Sequence, residues 1–190
     1  MEQVERDALD RYLAGDPEAL AELIERYRRP LYGFILKMTE GRGDADELYQ
    51  ETWMRTLRKL PTFRPDNLLG WLFRVAHNLV IDEARRQARF RDPADRADAD
   101  MDRVPDPSPD PGRRAASRDL GRRIAAAVQA LPADQRAVFL MRTEAGLPFR
   151  EIARVQAIPL NTALARMHYA VGKLRQALHD DWNHLDGETS

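Results

Sequence analysis

Cysteine is absent from this 190-residue chain, which excludes disulfides and thiolate metal sites. No apolar run approaches the roughly 20 residues of a membrane span. The opening MEQVERDALD is too charged for a secretion signal. A cytoplasmic location without membrane attachment is therefore expected. Strand-like alternation is missing too, and helical spacing of apolar residues recurs instead, so the fold expected is all-α. Reactive chemistry is sparse. The 4 histidines, His77, His168, His179 and His184, form no HExxH pattern, and no glycine-rich phosphate loop occurs. Asp44, Asp46, Glu47 and Glu51 lie within two helical turns, yet the Glu-x-x-His pairs of a di-metal bundle are missing. Neither a catalytic residue nor a metal or cofactor is expected.

What the chain does have is segregated charge. The formal total is −1. By segment, residues 1–54 carry −6, residues 55–91 carry +6, residues 92–111 carry −5, residues 112–178 carry +8 and the tail from His179 carries −4. Two basic blocks are thus hidden in a near-neutral sum, and each is a candidate nucleic-acid surface. Solvated helix faces would explain the counts but not their segregation.

The run 92–112, DPADRADADMDRVPDPSPDPG, holds five prolines and seven aspartates and almost no large apolar group. It cannot bury enough surface to offset its ordering entropy, so it reads as a flexible acidic linker. The expected organisation is two small helical domains, 1–91 and 117–179, joined by a linker over 92–116 and followed by a polar tail, 180–190, in which Trp182 and Leu185 are the apolar residues. In the first domain Asp16-Pro17 looks like an N-cap with proline at the first helical position. Leu20, Leu23, Ile24, Tyr27, Leu31, Phe34 and Met38 follow at helical spacing, with Pro30 expected to interrupt and kink the run and Gly41 and Gly43 to end it. Asp44 opens a second helix with Leu48, Thr52 and Leu60 inward. A loop over Pro61–Asn67 precedes a third helix, about Leu69 to Ala88, with Leu72, Val75, Ala76 and Leu79 inward. The second domain is expected to hold helices over Ser117–Ala130 and Asp134–Glu144 and then a pair.

That pair is a helix-turn-helix pattern. Ala157-Ile158-Pro159 separates two short helical segments, since Pro159 cannot continue a helix. Asn161 or Thr162 is placed to cap the second helix, and Ile152, Ala153, Leu160 and Leu164 are spaced to pack the two together. Such an element lays its second helix in the DNA major groove. Upstream, Phe63, Arg64 and Asn67 lead into Trp71, Arg74, His77, Asn78, Arg85, Arg86 and Arg89. Aromatic groups stack on bases, arginines hold phosphates and amides read base edges, so this set suits single-stranded DNA. Phe63 or Trp71 taken alone reads as a core residue first, and it is the arginine set beside them that favours DNA.

Three motifs in order, GDADELYQETWMR (43–55), TFRPDNLLGWLFRVAHNLVIDEARR (62–86) and the helix-turn-helix block, resemble a bacterial RNA polymerase sigma factor of the extracytoplasmic-function (ECF) group of the sigma-70 family. The resemblance covers residues 17–178 outside the linker. It implies a non-catalytic subunit that directs core polymerase to promoters and melts them. Asp46, Glu47, Leu48, Gln50, Glu51 and Trp53 match the face gripping the polymerase clamp, and the helix-turn-helix domain the part reaching its flap. The loop Phe63–Asn67, with Arg64, Trp71, Arg74, Asn78, Arg85 and Arg86, matches the segment that captures a base flipped from the melted non-template strand of the minus-ten element. Arg150, Asn161, Thr162, Leu164, Arg166, His168, Tyr169 and Lys173 match the reader of the minus-thirty-five duplex, with Arg142 and Arg154 as further holders of its backbone. The resemblance also implies an anti-sigma partner, and it puts the acidic linker in the polymerase's RNA exit path. The recognition helix departs from the family. Leu164, Tyr169 and Val171 stand where basic residues are usual and Ala165 stands for serine, leaving only Arg166 and Lys173 charged between Asn161 and Lys173.

Three other readings compete. A stand-alone helix-turn-helix regulator leaves the first two motifs unexplained. A carboxylate metalloenzyme lacks the histidines. A degenerate sigma-like protein that binds polymerase but reads promoters weakly would fit the altered recognition helix.

Overall fold

A computed structural model describes residues 3–39, 45–62, 67–90 and 111–179. Among them are eight helices and no strand: α1 (Gln3–Leu13), α2 (Pro17–Met38), α3 (Ala45–Lys59), α4 (Leu68–Phe90), α5 (Pro111–Gln129), α6 (Ala133–Thr143), α7 (Phe149–Gln156) and α8 (Leu160–Ala177). The all-α expectation holds. Gly41, Gly43, Asp44, Phe63, Arg64, most of the acidic run, Trp182 and Leu185 lie outside the described residues.

The start of α2 follows the expected chemistry. Asp16 is extended, and its carboxylate accepts the Glu18 N–H at 3.0 Å, with Pro17 next in the first turn. Pro30 does not interrupt α2, contrary to the expectation; the helix runs through it to Met38. A mid-helix proline costs about 3 kcal/mol. Leu31, Phe34 and Ile35, just beyond it, are all 0% exposed, and each such burial contributes about 1.5–3 kcal/mol. Packing therefore outweighs the missing hydrogen bond. The Phe34 ring meets Phe73 of α4 at 5.0 Å, and Leu68, Leu72, Ala76, Leu79 and Val80 complete the inward face of α4. The first helix, α1, has no counterpart among the elements read from the sequence. It is short and polar and buries Ala8 and Leu9 against α2.

In the second half α5 begins at Pro111, six residues inside the stretch read as linker. Proline is tolerated in a first turn, and the arginines and alanines after it are good helix formers. The two expected halves are packed together. Helix α4 lies against α7 and α2 against α6, and the buried residues form one continuous cluster from Ala8 to Ala163. Lys37 of α2 pairs with Glu144, and Gln129 Nε2 donates to the Lys37 carbonyl at 2.9 Å. Glu151 of α7 reaches over Gly70 of α4, where a Cβ would sit 3.0 Å from its carboxylate oxygen.

The helix-turn-helix exists, but its turn is built differently from the expectation. Ala157 adopts the left-handed conformation at φ 53, ψ 45 and ends α7. The Ile158 N–H then donates to the Ala153 carbonyl at 3.0 Å, a Schellman-type closure with alanine where glycine is usual. Pro159, fixed at φ −60 and extended, is itself the cap residue of α8, and no side chain caps that end. Asn161 and Thr162 are inside the first turn, not caps. Leu160 and Leu164 do not pack the helices together either. They are 38% and 43% exposed, while Ala163 and Ala170 are buried. The small alanines let α8 approach α6 closely, and that closeness sets the helix's rotation.

Candidate nucleic-acid and polymerase interfaces

The first candidate surface is on α3. Its inward residues are Ala45, Leu48, Thr52, Thr56 and, just past its end, Leu60, at three- and four-residue spacing, with Trp53 beside them. Leu48 is 7% exposed and Trp53 5%. Both belong to the core, which corrects their assignment to a polymerase-gripping face. Asp46, Glu47 and Gln50 are exposed. Asp46 sits beside the Tyr32 hydroxyl, whose pKa is pushed up by burial first and by that carboxylate second. Glu51 is half-buried and paired with Arg55 at 2.7 Å and Arg58 at 3.7 Å. The Arg55 hydrogen bond holds the Glu51 carboxyl below its ordinary value. Met54 is 53% exposed. With Glu47 and Gln50 it continues an i, i+3, i+7 stripe, a large apolar group open to solvent that the motifs alone do not single out.

The second surface is a cleft between α3 and α4, lined by Arg55, Arg58, Lys59, Trp71, Val75 and Asn78. Trp71 and Asn78 were expected here. The three cations were not, although their i, i+3, i+4 spacing at the end of α3 would place them on one face. Exposed Arg74 lies on the same helix. Arg85 and Arg86 lie two turns on, about 12 Å along the axis from Asn78 to Arg86, and pair locally with Asp82 at 3.8 Å and Glu83 at 2.7 Å. Asn67 serves the fold, because its side-chain oxygen accepts the Gly70 N–H at 3.1 Å and so caps α4. His77 is not among the residues lining the cleft. Both ring nitrogens are buried. Burial lowers its pKa most, Asp134 and then the Asn78 side chain raise it, and Arg166 lowers it.

The third surface is the outer side of the helix-turn-helix. Asn161, Leu164, His168, Tyr169 and Lys173 are exposed, as is Arg150 on α7, and Thr162 is half-buried. Arg166 is turned inward. Its guanidinium reaches Asp134 on α6 at 2.6 Å and Gln156 on α7 at 2.7 Å. Arg142 stacks over Phe149 at 5.5 Å and donates to the Gly146 and Leu147 carbonyls, which braces the turn before α7. Arg154 pairs with Glu151 at 2.7 Å yet stays open to solvent.

Comparison with known proteins agrees with this layout. The family model for sigma-70 region 2 matches residues 23–90, and the model for sigma-70 region 4 matches residues 121–174. The ECF RNA polymerase sigma factor SigE of Mycolicibacterium smegmatis is 32% identical over 167 residues, taking in 86% of this chain, which spans 64% of SigE's length. SigL of Mycobacterium tuberculosis, also an ECF RNA polymerase sigma factor, is 33% identical over 172 residues, 88% of this chain and 93% of SigL. Among solved structures, CnrH in complex with the cytosolic domain of CnrY shares the fold, with a TM-score of 0.67 at 23% identity over 94% of this chain and 99% of that one. RpoE bound to the anti-sigma factor NepR from Bartonella quintana gives a TM-score of 0.59 at 20% identity, over 78% of this chain and 89% of that one. Both region models in their expected order, together with a relative one-third identical along nearly its whole length, place this chain in the ECF group of the sigma-70 family: it is a sigma factor of RNA polymerase.

Proposed function

We propose that this sigma factor acts as a non-catalytic subunit that carries core polymerase to promoters and holds the melted minus-ten strand in the α3–α4 cleft. The observation that carries this reading is the cleft itself. It brings an aromatic face, an amide and three cations to one place, which is the set a single strand needs for stacking, base-edge hydrogen bonding and phosphate neutralisation. Residues 1–91 and the bundle after the acidic run serve as the two DNA-reading units. Glu47, Gln50 and Met54 are the polymerase-facing residues of α3, with Asp46 at the margin. Leu48 and Trp53 support that face from inside. An apolar Met54 among acids suits a docking spot whose centre excludes water. Phe63, Arg64, Trp71, Arg74 and Asn78 attend the flipped base and its strand, and Arg85 and Arg86 the duplex beyond. The outer face of α7–α8 meets the upstream duplex. Because CnrH and RpoE were each solved with a protein partner, an anti-sigma protein is included as a partner here.

Run-off transcription tests the proposal. Core polymerase plus this chain is expected to yield discrete transcripts from a library of promoter fragments on which core alone yields none. A chain that binds duplex DNA tightly by itself and leaves polymerase output unchanged would instead be a stand-alone regulator. Gln50→Ala with Met54→Ala, both at exposed positions, should weaken core binding by roughly 1–3 kcal/mol, or about 5- to 150-fold, with helicity unchanged by circular dichroism. Unaltered binding would remove α3 from the polymerase contact.

A further inference from the structure

Helix α8 carries no acidic residue, and from Leu160 to Gly172 its sole charged side chain is Arg166. That guanidinium is engaged by Asp134 and Gln156, so the first three turns present no cation outward. What they present is Leu160, Asn161, Leu164, Ala165, His168 and Tyr169, with Leu164 43% and Tyr169 61% exposed. An apolar stripe kept in water costs hydration free energy unless something covers it. Two features argue for duplex DNA rather than a protein as the cover. Exposed cations bracket the stripe in sequence, Arg150 on α7 before it and Lys173 on α8 after it, and phosphate is the partner that suits them. The lack of any carboxylate on α8 leaves a polyanion nothing to be repelled by. In a helix-turn-helix, the N-terminal residues of the second helix reach the base edges. On those edges the apolar feature is the thymine 5-methyl group, which alanine and similar side chains contact, and the feature that suits asparagine is adenine.

We propose that α8 reads A·T pairs of the upstream promoter duplex, seating thymine 5-methyl groups against Leu164 and Ala165 and pairing Asn161 with an adjacent adenine. This rests on the sigma-factor reading above and specifies what that sigma factor recognises upstream.

The test uses the full chain with core polymerase and two pools of promoter-length duplex, random across the upstream element. One pool contains thymine and the other uracil, which differs only by the missing methyl. The thymine pool is expected to yield an A·T-containing upstream motif. The same motif with uracil should bind about fourfold more weakly for each missing methyl, the fold equivalent of burying one methylene. Leu164→Ser with Ala165→Ser should bring the thymine-to-uracil ratio towards one, and Leu164→Lys should tighten binding to every duplex and lower the ratio. Equal affinity of the wild-type holoenzyme for both pools overturns the proposal, as does a ratio that survives Leu164→Ser with Ala165→Ser. A motif of G·C pairs alone overturns it as well, and so does Leu164→Ala changing self-association or protein binding while leaving duplex affinity unchanged. Transcription from a template with a pre-melted minus-ten bubble is the control, because it needs polymerase engagement without upstream reading. Activity there with equal thymine and uracil binding defeats methyl recognition alone, whereas loss of activity there defeats the sigma-factor reading beneath it.

Discussion

The α3–α4 cleft and the outer face of α8 are both assigned to nucleic acid, yet they are made of opposite materials. The cleft combines Trp71 and Asn78 with Arg55, Arg58 and Lys59. The outer face of α8 sets Leu164 and Tyr169 in water and turns its first cation, Arg166, into the bundle. The difference follows from the two states of DNA. A melted strand exposes ring faces and a flexible phosphate chain, so stacking and charge are the means of holding it. A duplex hides the ring faces and offers groove edges, where shape and methyl groups carry the sequence. Charge holds a strand in place, whereas apolar contact at a groove edge discriminates among bases.

The largest expected effect is on the cleft. Trp71→Ala should reduce promoter opening by roughly 5- to 150-fold, because base–aromatic stacking contributes about 1–3 kcal/mol. Asn78→Ala, on the same cleft wall, should give a smaller reduction in the same assay. Both deficits should shrink on a pre-melted minus-ten template, where the cost of extruding the base is already met. Equal deficits on duplex and pre-melted templates, measured by permanganate footprinting and run-off yield, would break the comparison at the cleft. Arg166→Gln comes next and sharpens the other side. Removing its bonds to Asp134 and Gln156 should lower stability by about 1–2 kcal/mol, given about 0.5–1.5 kcal/mol per hydrogen bond with some charge assistance, with discounting because Asp134 is half open to solvent. The salt dependence of upstream-duplex binding should not change. A slope reduced by about one unit would mean that Arg166 reaches a phosphate after all.

A smaller effect concerns pH. His77 packs between α4 and the second bundle, near Asp134 and Arg166, and burial depresses its pKa from 6.5. The neutral ring is thus favoured in the packed chain, and the unpacked chain takes up the proton first. The His77 contribution to stability is fully present above about pH 6.5 and declines as the pH falls through the depressed value. Urea unfolding across that range should show a weaker chain on the acid side, and His77→Gln should flatten that part of the profile. An unchanged profile in His77→Gln would assign the acid sensitivity to carboxylates instead.

Much of this layout is legible in the sequence where large apolar side chains mark the period. The inward residues of α2 and α4 recur at helical spacing, and Pro159 marks the helix-turn-helix. The departures share a cause. On α8 the inward face is made of Ala163 and Ala170, so tracking the bulkiest residues, Leu160 and Leu164, rotates the helix the wrong way. On α3 the acidic neighbours of Leu48 and Trp53 suggest a surface, while their burial comes from α2 and α4 packing over them. Met54, one residue past Trp53, is the large apolar group left outside. Asn67 shows a third limit. An amide suited to reading a base is equally suited to capping α4, and only the Gly70 hydrogen bond tells the two apart. The closeness of the two halves, with Glu151 against Gly70 and Lys37 against Glu144, depends on contacts far apart in sequence that no local pattern encodes.

The contrast between the two surfaces is tested most directly by salt titration of the intact holoenzyme on a melted non-template strand. The wild type, Arg58→Ala with Lys59→Ala, and Leu164→Ala are compared. The double cleft variant is expected to flatten the log–log slope by about 1.4 units, at about 0.7 per phosphate interaction removed on a single strand, and Leu164→Ala to leave it unchanged. A slope that persists in the cleft variant and falls in Leu164→Ala would contradict this division between charge and apolar reading.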